Sequence, residues 1–523
     1  MDVKKIFLKA HDQFQKKKYD AALKTLAKLQ KAVPQFRDAY YLEANIWEVL
    51  ENPVKKYLAL KKMLPLVNLD SSKENETDAQ FIGHLGNVFR FLGLRDESKK
   101  IGELILNKSP LINATILYHY IFSANSFEDF SAEDFRALYA EYKNFFTNIK
   151  PYPKKFYSHE KIRIGFLSVD FYNHPTINWS WSLLTKLDKN FFDTYFYSNV
   201  KKPDEITDYL RTHYDNWRDI GDLTDEQAAK IIREDEIDIL FDLDGHTRYN
   251  RLPVAMYHPA SVQMSGVGYM NSTGLECFDY FLSDIYCAGD ENFFVEKVIK
   301  LPHSHICYES TTKLKPADFP PCIKNNFVTF GSFNSFGKIT DSILIAWKKI
   351  LDTVPNSRLI LKHKIFDTND GKNFVGDRLK SFGFDLSRIE MRGFSNTWLR
   401  EYGDIDIALD TFPYTGGVTT CEALYMGVPV VSLYGKRHGS RFGLSILSNV
   451  GLEELAVASY DEYINRAVML ANDWELLALL RKNLRTMMKK SPLMDSENYL
   501  REIQSAFRKI LEESKRDERS RTL

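Results

Sequence analysis

The stretch richest in potential chemistry is Asp410-Thr411-Phe412-Pro413-Tyr414-Thr415-Gly416-Gly417-Val418-Thr419-Thr420-Cys421-Glu422, which follows the apolar run IDIAL and leads into ALYMG. Two glycines and two hydroxyl residues at a helix start offer free backbone N–H groups, the positive end of the helix dipole and no Cβ obstruction. Those are the requirements of a phosphate site. Gly416, Gly417, Thr419 and Thr420 are therefore expected to hold an anion. Glu422, one turn further on, is placed to accept from vicinal ribose hydroxyls. A plain helix cap needs only one Ser, Thr or Asp, so the constellation exceeds that role. Upstream, FVTFGSF runs into Asn334-Ser335-Phe336-Gly337-Lys338. A lysine in such a loop can reach a diphosphate as a point charge, although a solvated lysine is the commoner fate. Trp398 precedes IDIAL and either stacks on a base or joins the core.

A second group lies nearer the N-terminus. KIRIGFLS ends in Val169-Asp170-Phe171-Tyr172-Asn173-His174-Pro175-Thr176. Pro175 suits a first helical turn, so His174 would stand at a cleft mouth, where it can accept a proton or orient a hydroxyl. The alternative is a histidine bonded to backbone at a cap. IDILF ends in Asp242-Leu243-Asp244-Gly245-His246-Thr247-Arg248. Asp-x-Asp can grip a metal and a diphosphate, but alternate strand residues point to opposite faces. The preferred reading is a turn at Gly245 that presents His246 and Arg248 to the cleft, with no metal. The glycine-rich loop Gly266 to Gly274 lets backbone approach a ligand, with Tyr269 and Asn271 on its sugar or acceptor side. Tyr434-Gly435-Lys436-Arg437-His438-Gly439-Ser440-Arg441 either supports the phosphate site or caps a helix.

These loops need elements to hold them. From about residue 152 short β-branched runs alternate with amphipathic stretches. Expected strands are 161–168, 193–199, 237–243 and 262–266, then 327–333, 358–362, 389–392, 405–409 and 428–433. Strand–helix alternation means parallel sheets covered on both faces, and two series mean two doubly wound domains facing one another. Ligands in such folds bind beyond the carboxyl ends of strands, which is where the residues above lie. Residues 1–150 read instead as all-helical, with a 34-residue repeat. Ala10, Tyr19, Ala22, Leu26 and Pro34 match one unit; Leu85, Gly86, Phe89, Gly93, Ser98 and Pro110 match another. The middle unit (Ala44, Trp47) is degenerate, and an insertion falls at Ser71 to Thr77. A concave partner-binding surface and a plain helical cap are equally compatible with this pattern. The expected organisation is thus a helical domain over 1–150, a first Rossmann-like lobe over 151–310 and a second Rossmann-like lobe, with C-terminal helices, over 311–523.

In 523 residues, 70 Lys+Arg balance 70 Asp+Glu. Bulk electrostatic capture of nucleic acid or anionic membrane is therefore disfavoured. The charged N-terminus lacks an apolar signal region and no apolar run approaches a membrane span, so a cytoplasmic protein is expected. Five cysteines without a CxxC pair disfavour a disulfide scaffold, structural zinc and thioredoxin chemistry. Cys277 and Cys287 read as buried apolar thiols.

From about residue 160 to 515 the chain resembles the O-linked N-acetylglucosamine transferase and SPINDLY-type glycosyltransferases, particularly bacterial members with helical-repeat N-termini. The motifs are IRIGFLSVDFYNHPT, ILFDLDGHTRYNRL, GYMNSTGL with DYFLSD, TFGSFNSFGKIT and DTFPYTGGVTTCEALYMGVPVVSLYGKRHGSR. The resemblance implies a GT-B-type, inverting, metal-independent transferase that needs no cofactor. It would move N-acetylglucosamine from UDP-GlcNAc to Ser/Thr hydroxyls of a protein held by the helical repeats, with flagellin- or adhesin-like surface proteins among the expected acceptors. By motif position His174 corresponds to the active-site histidine and Lys338 to the diphosphate-contacting lysine. Thr419 with Gly416-Gly417 falls on the phosphate-binding helix start, Glu422 on the ribose contact, and Trp398 where a ring stacks near the base. Ser335 and Gly417 depart from the family pattern, which elsewhere has an amide and, in animal enzymes, a histidine. Those departures leave a GDP-fucose donor, transfer to Asn, or an inactive repeat scaffold as alternatives.

Overall fold

A computed structural model of the chain describes residues 2–67, 76–109, 111–310 and 312–522. Most of the Ser71 to Thr77 insertion and Pro110 lie outside them. Eight helices lead the chain: α1 Val3–Gln15, α2 Tyr19–Ala32, α3 Arg37–Val49, α4 Pro53–Met63, α5 Glu76–Leu92, α6 Arg95–Leu106, α7 Ala114–Ala124 and α8 Ala132–Asn144. Small residues stand where helices cross. Ala10, Ala22 and Ala39 are fully buried in one core with Leu26, Leu29, Leu42 and Ile46. A Cβ on Gly86 would come within 3.3 Å of Ile101, and Gly93 turns α5 into α6 at φ +69°. Caps fix the ends: Asn52 accepts from Lys55 N ahead of Pro53, and Ser131 and Asp134 form a capping box at α8.

Among the described residues thirteen strands form two parallel sheets. The first comprises β1 Ile162–Ser168, β2 Phe192–Ser198, β3 Trp217–Asp219, β4 Ile239–Asp242, β5 Val262–Gly266, β6 Tyr280–Asp284 and β7 Lys297–Leu301, in the order β3-β2-β1-β4-β5-β6-β7. The second comprises β8 Val328–Ser332, β9 Ser357–Lys362, β10 Ile389–Arg392, β11 Ile407–Leu409, β12 Val430–Leu433 and β13 Ala456–Val457, in the order β10-β9-β8-β11-β12-β13. Both are doubly wound Rossmann-like sheets. Their topological switch points fall between β1 and β4 (Leu167 opposite Asp242) and between β8 and β11 (Phe330 opposite Ile407). The central strands are buried on both faces, which is why they read as near-continuous apolar runs. Among the described residues no helix is long and apolar enough to cross a membrane.

Compactness divides the chain elsewhere than at 150 and 310. One unit joins Met1–Ser123 with Phe333–Lys348 and Leu359–Asn396; the other joins Ala124–Ser332, Lys349–Arg358 and Thr397–Leu523. Within the first, Arg95 donates from its two terminal nitrogens to the carbonyls of Gly337 and Ile339, each at 2.8 Å. Asn52 donates to Asp370 at 2.8 Å, and Phe91 packs on His363. Within the second, α8 covers the first sheet's loops: Tyr139 donates to Ser272 O at 3.1 Å, and its ring occupies the space a Cβ on Gly274 would need.

Candidate functional site

The loop after β1 carries a carboxylate–imidazole pair. Asp170, 6% exposed, lies 3.1 Å through Oδ2 from His174 Nδ1 and accepts from the Thr176 hydroxyl at 3.3 Å. Nδ1 lies closer still, 3.0 Å, to Thr176 Oγ1; with that hydroxyl donating to Asp170, its oxygen accepts from Nδ1–H, which leaves a lone pair on Nε2. Nε2 has no protein partner among the described residues, and the side chain is 34% exposed. Asp170 was quoted in the sequence motif but given no role there; its i,i+4 spacing to His174 is the signal that reveals one. Helix α9, Ile177–Thr185, starts directly after this pair.

Behind the pair sits a set of buried carboxylates. Asp244 accepts from Ser168 Oγ (2.7 Å) and Val169 N (2.8 Å), and burial, with Asp170 and Asp242 nearby, pushes its carboxyl well above the usual range. Asp242 Oδ2 accepts from Gly245 N and Ser265 Oγ, both at 2.8 Å, and burial raises this carboxyl to about 6. Gly245 makes the expected turn at φ +50°. These bonds commit Asp244 and the Oδ2 of Asp242 to organising the loop, while the buried Asp242 Oδ1 makes no hydrogen bond among the described residues.

His246, Tyr269 and Asn271 do not reach a cleft. His246 is fully buried, its Nε2 lies 2.7 Å from Thr273 O, and its ring stacks on Tyr139 at 5.8 Å beside Tyr142 and Tyr269. Burial lowers its pKa to about 4. Tyr269 accepts from Asn125 Nδ2 at 3.3 Å, and Asn271 donates to Asn125 Oδ1 at 3.0 Å. The loop turns inward because Ser272 and Thr273 donate to the buried Glu296 carboxylate. The glycines serve packing: a Cβ on Gly268 would lie 1.9 Å from Leu243 O. Arg248 stays exposed, over the Tyr249 ring at 4.5 Å.

After β11, Asp410 builds the second loop. It accepts through Oδ1 from Thr411 N (2.8 Å) and Gly416 N (2.6 Å), and through Oδ2 from Ser432 Oγ (2.6 Å). The helix Val418–Tyr425 begins at Gly417, whose missing side chain leaves the first-turn amides without a side-chain cap. A Cβ on Gly416 would meet the hydroxyls of Thr420 (2.6 Å) and Thr419 (2.8 Å), so both threonines crowd this turn. Trp179 of α9 lies across it: a Cβ on Gly417 would come 2.5 Å from the indole ring. The loops at the two switch points are thereby in van der Waals contact, through a residue that sequence reasoning had not singled out.

Trp398 is 38% exposed, and its Nε1 donates to Glu422 Oε1 at 3.1 Å. Trp398 and Glu422 thus stand side by side, and loss of hydration pushes the Glu422 carboxyl up to about 7. After β8, Asn334 is buried, Ser335 exposed, and Lys338 closes a 3-10 turn whose backbone Arg95 clamps. The basic stretch after β12 is structural. Arg437 donates to Ala124 O and Phe127 O, Arg441 donates to Tyr286 O, and His438 is fully buried.

The model of glycosyl transferase family 41 matches residues 143–315 and 321–503. A protein of Solanum lycopersicum named probable UDP-N-acetylglucosamine--peptide N-acetylglucosaminyltransferase SPINDLY is 37% identical over 356 residues, covering 66% of this chain and 38% of that protein. The Hordeum vulgare protein of the same name is 37% identical over 385 residues, 72% and 40% of the two chains. The chain spans about two-fifths of the length of these relatives. Among solved structures, Thermobaculum terrenum O-GlcNAc transferase superposes with a TM-score of 0.82 at 26% identity, covering 98% of each chain.

Proposed function

Because the chain belongs to glycosyl transferase family 41, we propose that it moves a sugar from a nucleotide-diphosphate donor to Ser/Thr hydroxyls of a polypeptide, with inversion and without a metal or cofactor, and that the donor is UDP-GlcNAc. The observation that carries this reading is the Asp170–His174 pair beside an uncapped helix start, linked by Trp179 against Gly417. The relatives' names supply the sugar and the peptide acceptor.

The acceptor oxygen attacks the anomeric carbon from the face opposite the leaving group. As that C–O bond forms, the bond from carbon to diphosphate oxygen breaks and its electron pair leaves with the diphosphate. The hydroxyl proton passes to His174 Nε2, and Asp170 stabilises the imidazolium. The first-turn amides at Val418 and Thr419 meet the developing phosphate charge, and Lys338 adds a cation by its motif position. Preorganised donors of this kind contribute roughly 3–4 kcal/mol each. Glu422 accepts from the ribose.

The test is intact-mass analysis of candidate acceptor proteins after incubation with a panel of nucleotide sugars, run beside donor hydrolysis. Addition of one N-acetylhexosamine from UDP-GlcNAc, lost in His174→Ala, is the expected result. Transfer from GDP-fucose alone would replace the donor. Absence of transfer and hydrolysis with every donor would make the chain an inactive scaffold.

A further inference from the structure

Three buried side chains outside this machinery come together from distant parts of the chain. Cys287 follows β6, His305 follows β7, and His438 opens the 3-10 turn His438–Ser440 after β12. They are 0%, 1% and 0% exposed, and one ligand-capable atom of each lies within 4.8 Å of the others. No CxxC spacing announces the group, and Cys287 read in sequence as an apolar thiol.

We propose that Cys287 Sγ, His305 and His438 form a structural site for Zn²⁺ or a similar thiophilic divalent ion, pinning the loops after β6 and β7 to the loop after β12. Three observations converge on it. The first is a poorly bonded ligand. Neither ring nitrogen of His438 makes a hydrogen bond of ordinary geometry, the Met270 backbone offering only a weak one, though the ring is sealed among Phe281, Phe294, Phe442 and His305. Buried histidines ordinarily avoid leaving both nitrogens so poorly bonded. Coordination occupies one of its nitrogens.

The second observation is the carboxylate behind His305. Asp284, fully buried, lies 2.5 Å through Oδ2 from His305 Nδ1 and also accepts from His305 N and Ser445 Oγ. This is the carboxylate–histidine arrangement that fixes a ligand's tautomer and turns Nε2 to the metal. Asp284 Oδ1 accepts from Tyr286 N (2.9 Å) and Cys287 N (2.7 Å), so one residue orders two of the three ligands.

The third is charge. One thiolate and one carboxylate balance a divalent cation, and binding would take the Cys287 thiol proton, which now points at His438 O at 3.4 Å. Thiolate with two imidazoles is a ligand set suited to zinc. Zinc bond lengths place tetrahedral ligand atoms roughly 3.4–3.6 Å apart, so side-chain rotation of about 1 Å closes the site. With three protein ligands the fourth position falls to a water. Phe442 links the site onward, 5.3 Å from His438 and 6.3 Å from Trp179, which lies on Gly417.

The site takes no part in proton or sugar transfer, so its test reads metal and not turnover, and its failure leaves the transferase reading standing. Untagged full-length protein would be analysed for metal by mass spectrometry, titrated with Co²⁺ after chelator treatment, and melted with and without zinc. The expected results are close to one equivalent of zinc, a thiolate-to-cobalt charge-transfer band, and a melting temperature raised several degrees by zinc. Cys287→Ser and His438→Phe should each lose the band and the zinc response. His438→Phe keeps the aromatic packing, which separates metal loss from misfolding. A wild-type protein that binds no cobalt through sulfur and melts identically with and without zinc would overturn the proposal. So would a cobalt band that survives Cys287→Ser.

Discussion

Replacing Glu422 with Gln sets stability against donor affinity, and the structure gives the sign of both. The carboxyl is partly exposed, yet loss of hydration raises it from an ordinary 4.5 to about 7, against the pull of Trp398 Nε1 and the Tyr402 hydroxyl. In the unfolded chain the proton leaves near 4.5. Between those values the folded state holds a proton that the unfolded state has released, so stability falls as pH rises from 4.5 to 7. Below 4.5 the penalty is absent, and above 7 it is complete. At about 1.4 kcal/mol per tenfold in proton affinity the ceiling is on the order of 3 kcal/mol, and solvent reaching the group lowers it to about 1–2 kcal/mol. Glutamine carries no such penalty and can still accept from Trp398. Ligand-free Glu422→Gln should therefore melt about 1–2 °C above the parent at pH 8 and level with it at pH 4.5. Donor binding should run the other way. A ribose hydroxyl bonded to a carboxylate is worth about 1.5–3 kcal/mol, so the variant should bind UDP roughly tenfold or more weakly at pH 8. Parent affinity should decline more steeply than the variant's as pH drops below 7, the protonation of the UDP terminal phosphate being common to both. Calorimetric titration with UDP and thermal melts across pH 4.5–8 read both. Equal melting at pH 8, or parent UDP affinity that falls no more steeply than the variant's, would refute the reasoning.

Three further outcomes follow from the same geometry. His174→Ala should cut transfer by about 10²- to 10⁴-fold with UDP affinity unchanged, and Asp170→Asn should shift the pH–rate profile; full activity in either removes the pair from the reaction. Gly417→Ala forces a Cβ to 2.5 Å from the Trp179 indole, so UDP should bind about tenfold or more weakly, and adding Trp179→Leu should recover part of the loss; an unchanged single variant would mean the two loops move freely. Turnover should stay within twofold whether or not Mg²⁺ or Mn²⁺ is added, since Asp244 and Asp242 Oδ2 are committed to backbone and hydroxyl donors and both aspartates are sealed from solvent; activity that depends on either ion would make them metal ligands.

The strands that carry the site were legible because a parallel strand buried on both faces shows in sequence as an uninterrupted apolar run, as in IRIGFLS and VTFGS. Of the four that escaped notice, β6 (YFLSD, buried throughout) carries that signal and was passed over, whereas the other three lack it. β3 is three half-exposed residues, β7 alternates Lys with Val and Ile, and β13 is two residues long. The switch-point loops were legible for a related reason: polar residues packed against a strand's carboxyl end have few structural uses. That argument failed for His246, Tyr269 and Asn271. A polar loop residue looks the same whether it faces a ligand or folds under a helix, and the covering residues, Asn125 and Tyr139, stand 146 and 133 positions from their partners. Only the fold brings α8 over that loop. The same distance hid Cys287 from His438, 151 positions away.

The helical region has two separable roles, and the cut at residue 150 implied by sequence would confound them. Residues 124–150 pack with loops of both sheets: Arg437, after β12, donates to Ala124 O and Phe127 O, and Tyr139 fills the space over Gly274, after β5. Removing them would expose a buried guanidinium and the His246 aromatic cage, so such a truncation should be insoluble whatever the repeats recognise. The α5–α6 hairpin has a different task. Its Arg90 carbonyl lies 2.3 Å from where a Cβ on Gly337 would stand, and Arg95 bonds the carbonyls on either side of Lys338. Two carbonyl bonds from a charged donor are worth about 1.5–3 kcal/mol each when intact. Arg95→Ala should therefore loosen the turn that carries Lys338 and lower donor hydrolysis and protein transfer together, by tenfold or more. Removing residues 1–36, which takes away α1 and α2 but leaves this hairpin, should instead impair protein transfer while donor hydrolysis stays within twofold. If the shortened chain glycosylates its protein acceptor at the parental rate, the first repeats do not recognise it. If Arg95→Ala hydrolyses donor normally, the hairpin is only a cap.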